Sequence, residues 1–306
     1  MTRRLALAAS TTVACALSLF ATAFASAQAS RTQLIILGSG TPIPDPERAG
    51  PAVAVVVDSV AYLFDAGTGV VRRAAAAART GVTALQPQRL GILFLTHLHS
   101  DHTMGLNDVL FTPWIQGRKS RLELYGPRGT GHLLNSIVDG NREDIAVRLA
   151  SSGGPAPDAY RANVHEIREG TVFSDSRVTI RAFAVPHSTW EHAFGYRIQT
   201  PDKVIVISGD ARANPAIARE CNGCDILVHE VYSDSGFTSI PDARKPYHSQ
   251  AHTSATQLGD IATAARPGLL VLYHQLWFGA TDATLLAEVR SRFSGRVVSA
   301  KDLDRF

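Results

Sequence analysis

A tight group of metal-ligating side chains follows an apolar run that ends at Leu95. The group comprises His97, His99, Asp101 and His102. In an extended chain, residues two apart point the same way, so His97 and His99 can reach one metal ion. If the chain then turns into a helix, Asp101 and His102 can face a second ion. Burying imidazole and carboxylate groups here without a ligand would be costly, so the spacing predicts a metal site.

Three further polar side chains each follow an apolar run of strand length. They are His187, Asp210 and His274. One such residue is weak evidence, because a histidine at a strand end is more often simply hydrogen-bonded. Three such residues at the ends of apolar runs, together with the first group, are stronger evidence than any one of them. Because the ligands are imidazoles and carboxylates without thiolate, zinc is the expected metal, with manganese or iron as alternatives.

Apolar, β-branched runs bounded by Gly, Pro, Asp or Asn recur along the chain, with amphipathic patterns between some of them. Several runs are apolar at every position, which is typical of strands covered on both faces. The pattern predicts an α/β fold with helices outside sheets. The predicted strands are 34–37, 53–57, 61–64, 92–95, 178–185, 194–198, 204–207, 226–228 and 269–272, and the predicted helices are 70–80, 105–111, 132–149, 254–265 and 282–293.

The N-terminal segment has the features of a secretory signal peptide. Arg3 and Arg4 precede an uncharged run from Leu5 to Phe24, and Ala25-Ser26-Ala27 follows as a cleavage site. We therefore expect residues 1–27 to be removed, residues 28–306 to form a single domain, and the protein to be periplasmic or secreted. A membrane anchor is the alternative, because about 20 uncharged residues can span a bilayer. After cleavage we expect no membrane span.

Composition limits the partners of the chain. Its 306 residues are 45% hydrophobic and 19% charged, as in a globular protein, and the net charge is +3. Removing the segment that carries Arg3 and Arg4 lowers this to +1, which does not suggest a nucleic-acid binder. Cys221 and Cys224 would remain in an oxidising compartment, where we expect a small-loop disulfide rather than free thiols or a catalytic pair.

The H-x-H-x-D-H pattern of residues 97–102 resembles the signature of the metallo-β-lactamase superfamily. The later histidines and aspartate also stand in the family's order. The resemblance implies a four-layer αββα sandwich with a binuclear centre. It implies that the first ion is held by His97, His99 and His187, that the second is held by Asp101, His102 and His274, and that Asp210 bridges both.

Within the superfamily, the chain resembles the branch that holds ribonuclease Z and secreted zinc arylsulfatases. The segments that carry this resemblance are Leu37-Gly-Ser-Gly-Thr-Pro42 and Leu227-Val-His-Glu230, followed by His252 before a helix. The resemblance implies that His252 is a general acid, oriented and kept basic by Glu230. It also gives Asp101 a second role, holding or deprotonating the attacking water.

One departure from ribonuclease Z directs the expected function. The family commonly carries a basic arm for tRNA, in many bacterial members between the third ligand and the bridging Asp, but here His187 and Asp210 are only 23 positions apart. We therefore expect no nucleic-acid partner, and an exported hydrolase of small anionic sulfate or phosphate esters. The alternatives are a ribonuclease Z-type tRNA 3′ endonuclease, a β-lactam or lactone hydrolase, and a metal-binding protein without turnover.

Two residue groups leave the substrate site open. A basic group near Trp114 suits either an anionic head group or a solvated loop, and an aromatic group suits either an apolar pocket or core packing. The resemblance also allows a homodimer. The basic group is Arg118, Lys119, Arg121 and Arg128, and the aromatic group is Tyr232, Phe237, Tyr247, Trp277 and Phe278.

Overall fold

The computed structural model describes residues 30–306. The predicted signal peptide, residues 1–27, lies outside the described residues, and its assignment remains a prediction. Within residues 30–306, none of the helices combines the length and the apolar character that crossing a bilayer requires.

Two mixed β-sheets form the centre of the fold. The first has the strand order β1-β2-β3-β4-β5-β6, and the second has the order β13-β12-β11-β10-β9-β8-β7. The strands are β1 (Thr32–Gly38), β2 (Ala52–Val57), β3 (Val60–Phe64), β4 (Ile92–Phe94), β5 (Leu122–Gly126), β6 (Ala162–Glu166), β7 (Gly170–Ser174), β8 (Thr179–Ala184), β9 (Phe194–Gln199), β10 (Val204–Ile207), β11 (Ile226–Tyr232), β12 (Leu269–Leu276) and β13 (Val297–Ser299).

Helices connect most of the parallel strands. They are α1 (Val70–Arg79), α2 (Ser100–Thr103), α3 (Leu106–Ile115), α4 (Thr130–Gly140), α5 (Arg142–Ala150), α6 (Pro215–Cys221), α7 (Asp234–Ser239), α8 (Lys245–Ala251), α9 (Ala255–Ala265) and α10 (Asp282–Arg290). Cys221, at the end of α6, is joined to Cys224 by a disulfide, as expected.

Alternating side chains of the strands separate three apolar layers. On β1, Leu34 and Ile36 point between the sheets, where they join Ile180 and Ile198 of the second sheet. The intervening Ile35 lies in the layer under α1 and α3. A third layer lies between the second sheet and helices α6, α9 and α10. The layer order is therefore αββα, which confirms the expected fold class.

The regular elements differ from the sequence pattern in three respects. The predicted helix 132–149 is two helices, because α4 ends at Gly140 and Asn141 separates it from α5. The sequence pattern also missed the helices α6, α7 and α8, and it missed the strands β5, β6, β7 and β13. Of these, β6 and β7 are edge strands with half-buried or exposed residues, so they lack the apolar run that marks a covered strand.

The strand directions bring the polar strand ends to one rim. In the second sheet β10, β11 and β12 are parallel. Strand β8 runs the same way, because β9 is antiparallel to both β8 and β10. Parallel strands end at a common edge, so the residues after β8, β10 and β12 meet there. The residues after β4 approach the same rim, since the N–H of Phe194 donates to the carbonyl of Thr96 at 2.9 Å.

Two members of the basic group predicted near Trp114 are occupied within the fold. The guanidinium of Arg118 is buried, and Arg121 pairs with Asp158. Arg118 is therefore not available to an anionic substrate, and its role is to hold four backbone carbonyls. The acceptors of Arg118 are the carbonyl oxygens of Leu90, Val109, Leu110 and Ala159, at 2.8–3.0 Å.

Replacing this buried guanidinium should destabilise the fold. We expect Arg118→Ala to lower the free energy of unfolding by about 3–5 kcal/mol, because it leaves buried carbonyls without donors. Urea unfolding followed by circular dichroism measures this loss. Arg128→Ala is the matched control, since Arg128 is exposed, and should change the free energy by less than about 0.5 kcal/mol. Equal losses in both variants would contradict the role assigned to Arg118.

Candidate metal centre

The first group of predicted ligands converges at the end of β4. Nδ1 of His99 lies 3.0 Å from Nε2 of His97 and 3.0 Å from Nε2 of His187. The carboxylate of Asp210 lies 4.0 Å from Nε2 of His97. These atoms fall within 4.8 Å of one another. The structure thus brings His97, His99, His187 and Asp210 into a first cluster.

The second group meets on the other side of Asp210. Nε2 of His274 lies 3.2 Å from Oδ2 of Asp101, and Nε2 of His102 lies 3.5 Å from the same oxygen. Asp210 Oδ1 lies 3.3 Å from Nε2 of His102, and Asp210 Oδ2 lies 3.6 Å from Nε2 of His274. Asp101, His102 and His274 form a second cluster, and Asp210 stands between the two clusters.

The chemistry of these atoms fits divalent cations. Nε2 of His102 and Oδ1 of Asp210 are buried without a hydrogen-bond partner in the described residues. In the first cluster three imidazole nitrogens face one another. Hydrogen bonds cannot be made between every close pair of these nitrogens. A cation would meet all these lone pairs at once, and imidazole with carboxylate is a ligand set that suits zinc and similar ions.

The charges within the centre differ between the two clusters. Burial lowers the pKa of His97 well below its usual value and lowers the pKa of His99 to about 4. At His102, burial is outweighed by the carboxylates of Asp210 and Asp65, which raise its pKa well above the usual value. The pKa of Asp210 lies well below its usual range, because the surrounding imidazoles outweigh burial. The first cluster therefore offers neutral imidazoles at neutral pH.

Asp65 is a residue of the centre that the sequence analysis did not include among the site residues. Its carboxylate accepts from the N–H of Thr96 at 2.8 Å and lies 2.8 Å from Nδ1 of His102. This contact turns Nε2 of His102 toward Asp101 and Asp210. The signal was present, because Asp65 directly follows the buried strand β3, as the histidine group follows β4.

Trp190 is a second residue of the centre that sequence reasoning missed. Its indole donates from Nε1 to Nε2 of His99 at 2.6 Å. An indole can only donate, so this bond needs a lone pair on Nε2 and places the hydrogen of His99 on Nδ1. Nδ1 faces the other two histidines and must be unprotonated to bind a metal. Metal binding at the first cluster therefore requires the Trp190 bond to break.

The predicted acid and its partner lie beside the second cluster. Nδ1 of His252 is 3.3 Å from Oε2 of Glu230 and 3.9 Å from Oδ2 of Asp210. The other oxygen of Glu230 accepts from the N–H groups of Ala211 and Thr253, at 3.3 and 2.9 Å. Glu230 is thus fixed by the backbone and presents its free oxygen to His252.

Glu230 does not keep His252 basic, and that expectation was wrong. Burial lowers the pKa of His252 to about 4, and nearby carboxylates do not compensate for it. Burial, assisted by Asp210, raises the pKa of Glu230 well above its usual value. The His252 ring is therefore neutral near pH 7, with Nδ1 toward Glu230 and Nε2 on the far side of the ring.

The aromatic residues considered for a pocket mainly pack on one another. The rings of Tyr232, Phe237 and Phe278 lie 4.9–6.5 Å apart between centroids. Trp277 lies under the guanidinium of Arg48, at 4.5 Å. Packing therefore explains these four aromatic residues, and of the five only Tyr247 is largely exposed, at 46%.

Comparison with known proteins shows the family. The model of the β-lactamase superfamily domain matches residues 61–275. Ribonuclease Z of Mycobacterium bovis is 34% identical over 281 positions, which cover 89% of this chain and 97% of that relative. Ribonuclease Z of Mycobacterium marinum is 32% identical over the same coverage. The chain belongs to the metallo-β-lactamase superfamily. The match over nearly the whole length of these relatives places it in the ribonuclease Z branch, and it is a metal-dependent hydrolase of ester bonds.

Solved structures share the fold of this superfamily member. The metallo-β-lactamase fold protein YhfI of Bacillus subtilis superposes with a TM-score of 0.68 at 19% identity, covering 90% of this chain and 100% of that chain. Human tRNase Z, short form, superposes with a TM-score of 0.64 at 21% identity, covering 90% and 98%. At these identities the likeness shows the fold alone.

The missing arm does not separate this hydrolase from ribonuclease Z, and our exclusion of nucleic acid on that ground was wrong. Eighty-nine per cent of 306 residues is about 272, so only about nine of the 281 aligned positions lie opposite gaps in this chain. The aligned part of the M. bovis relative therefore has no room for an inserted arm of tens of residues. A protein named ribonuclease Z therefore aligns with this chain although its aligned part has no such arm.

Asp65 provides a test of how the second cluster is oriented. We expect Asp65→Asn to weaken zinc binding at the second cluster about 10- to 100-fold, because the amide cannot hold both Thr96 and His102. Calorimetric zinc titration should show a change at one of two sites. Asp58→Asn, at a surface ion pair with Arg31, is the control. Unchanged binding in Asp65→Asn would refute this orienting role.

Trp190 should report metal binding at the first cluster through its fluorescence. Zinc is expected to change the emission of the wild-type protein, and Trp190→Phe should abolish that change. The same variant should bind zinc about 2- to 10-fold more tightly, because no hydrogen bond has to be broken. Trp277→Phe is the control and should retain the zinc-dependent emission. Weaker zinc binding in Trp190→Phe would show that the indole supports the site instead.

Proposed function

We propose that this hydrolase is an exported, zinc-loaded phosphodiesterase of the ribonuclease Z type that acts on RNA. The observation that supports this proposal is the pair of clusters joined by Asp210, with Glu230 and His252 beside them. This arrangement occurs in a chain that matches ribonuclease Z relatives over 97% of their length. The proposal replaces the small-molecule ester substrate that the sequence alone suggested.

Each residue of the centre has a distinct task in this proposal. The two clusters define the ligands of two ions. One ion would be held by His97, His99 and His187, the other would be held by Asp101, His102 and His274, and Asp210 would contact both. Two ions held there would acidify a bound water and neutralise charge on the phosphate. Zinc suits the ligand set, with manganese or iron as alternatives.

Asp101 is placed to handle the attacking water. Its side chain is 13% exposed, whereas that of Asp210 is 3% exposed, so Asp101 reaches the open side of the centre. A carboxylate there can orient the water and accept its proton. The oxygen of that water then forms the new bond to phosphorus as the bond to the leaving oxygen breaks.

His252 would supply the proton that the leaving oxygen needs. Its Nδ1 faces Glu230, so Nε2 is the nitrogen left to face the substrate. As the Nε2 hydrogen passes to the leaving alkoxide, the protonated carboxyl group of Glu230 gives its hydrogen to Nδ1, so the ring stays neutral. Nδ1 lies 3.3 Å from Oε2 of Glu230, which is near enough for this proton to move between them.

A small-ester substrate for the exported protein is a second candidate. The signal-like residues 1–27 and the disulfide between Cys221 and Cys224 favour an oxidising compartment outside the cytoplasm. In that compartment a sulfate or phosphate ester of a small molecule is an alternative to RNA. The same metal chemistry would serve, so only substrate tests separate the two candidates.

A substrate panel tests the proposed function directly. Zinc-loaded protein spanning residues 28–306 should cleave a single-stranded oligoribonucleotide and a chromogenic phosphodiester. Turnover confined to a sulfate or phosphate monoester would favour the second candidate. Turnover confined to a cephalosporin or a lactone would overturn both. Two bound zinc ions without turnover on any substrate would identify a metal-binding protein that is not an enzyme.

Replacing His252 tests its proton transfer. We expect His252→Ala to slow phosphodiesters with alkyl leaving groups about 10²- to 10⁴-fold, and nitrophenyl diesters less than tenfold, because nitrophenolate leaves without a proton. The measurement is kcat for a series of phosphodiesters whose leaving groups differ in pKa. His165→Ala, a half-exposed histidine on β6, is the control and should leave both rates unchanged. Equal losses for both ester types would remove His252 from this role.

A further inference from the structure

A groove opens beside the second cluster of the centre. It has a volume of about 950 Å³ and lies between the proline-rich segment 41–46 and the outer face of α1. Ser100, Asp101 and Met104 form its inner end. Because Asp101 belongs both to the groove and to the second cluster, the groove leads directly to the reacting centre.

Two cations of the groove carry no ion pair. Arg48 approaches Asp45 and Arg73 pairs with Asp302, at 3.9 and 2.9 Å, so acids neutralise these two guanidinium groups. Arg72 and Arg79 are exposed, and within residues 30–306 neither has an acidic partner within 4.0 Å.

Arg72 and Arg79 are spaced for a ligand with repeated charges. They lie seven residues apart on α1, which puts them on the same helix face, about 10 Å apart along the axis. A small diester that reaches the metal centre would gain little from a second cation this far away. A polyanion that extends from the centre along α1 can contact both.

The rest of the groove offers contacts without base recognition. Ile43 and Met104 are 62% and 67% exposed, which makes them unusual among the large apolar residues of this protein. Pro42, Pro44 and Pro46 on the same side have no backbone N–H to donate. The apolar surface can contact the bases and sugars of a strand, and the unpaired cations can contact its phosphates, without the aromatic stacking of many single-strand sites.

We propose that this groove holds a few nucleotides of single-stranded RNA next to the scissile phosphodiester, with Arg72 and Arg79 on its phosphates. The proposal rests on the proposed function and extends it. A volume near that of a drug-sized ligand site admits a short strand rather than a duplex. Contacts made to phosphates and to apolar surface predict binding that is independent of sequence.

The test compares a long and a short substrate in the same zinc-loaded protein. Arg72→Ala/Arg79→Ala should raise KM for a single-stranded oligoribonucleotide at least tenfold, while kcat and KM for a small chromogenic diester stay within twofold. The slope of log KM against log salt should become shallower by about 1.4, because each lost phosphate contact on a single strand contributes about 0.7. Arg72→Lys/Arg79→Lys should retain most of the affinity.

The matched control is Arg168→Ala/Arg219→Ala, which removes two exposed cations outside the groove that have no acidic partner within residues 30–306, and it should change the kinetics of neither substrate. If the wild type cleaves neither the oligoribonucleotide nor the diester, the proposed function itself fails. If the wild type cleaves both and the Arg72/Arg79 variant behaves like the control, only the groove proposal fails. A change of oligomeric mass in that variant would show that the groove is a subunit contact, and would also overturn it.

Discussion

The crowding of buried lone pairs around Asp210 is the constraint on which the rest of this structure depends. Its two oxygens lie 3.3–4.0 Å from nitrogens of His97, His102 and His274, and one of them has no hydrogen-bond partner in the described residues. Such a group of desolvated acceptors is costly unless positive charge enters it. The outer contacts serve to hold these atoms together in spite of that cost.

The backbone meets the same constraint at the strand ends. Gly209, just before Asp210, has a φ of +62°, and an added Cβ would lie 2.8 Å from the carbonyl oxygen of Phe194. His274 also adopts a left-handed conformation, with φ of 45°. A non-glycine residue in the left-handed conformation is strained, and such strain persists only where the surrounding structure imposes it. The αββα core supplies that rigidity, because side chains from both sheets interlock in the layer beneath the rim.

Burial decides what each arginine of the chain can do. Arg118 is enclosed and donates to four carbonyls, so it stabilises the fold and is hidden from substrates. Arg72 and Arg79 stand on the exposed face of α1 beside the centre, where they can meet an anion. Net charge gave no sign of this local difference, because a near-neutral chain can still concentrate unpaired cations along one groove. The alignment with the ribonuclease Z relative has only short gaps in this chain, so the missing basic arm is no longer a reason to exclude a polyanionic substrate.

The sequence by itself determined the fold class and the residues of the two clusters, because strand-length apolar runs are local patterns and the H-x-H-x-D-H motif carries the resemblance to the superfamily. It did not reveal the short edge strands, the split between α4 and α5, or the contacts of Asp65 and Trp190 with the ligand histidines. Only the tertiary structure decided these features, together with the neutral state of His252 and the unpaired arginines of the groove. The physical reason is that burial, proton position and charge pairing depend on neighbours distant in the chain, which no local pattern specifies.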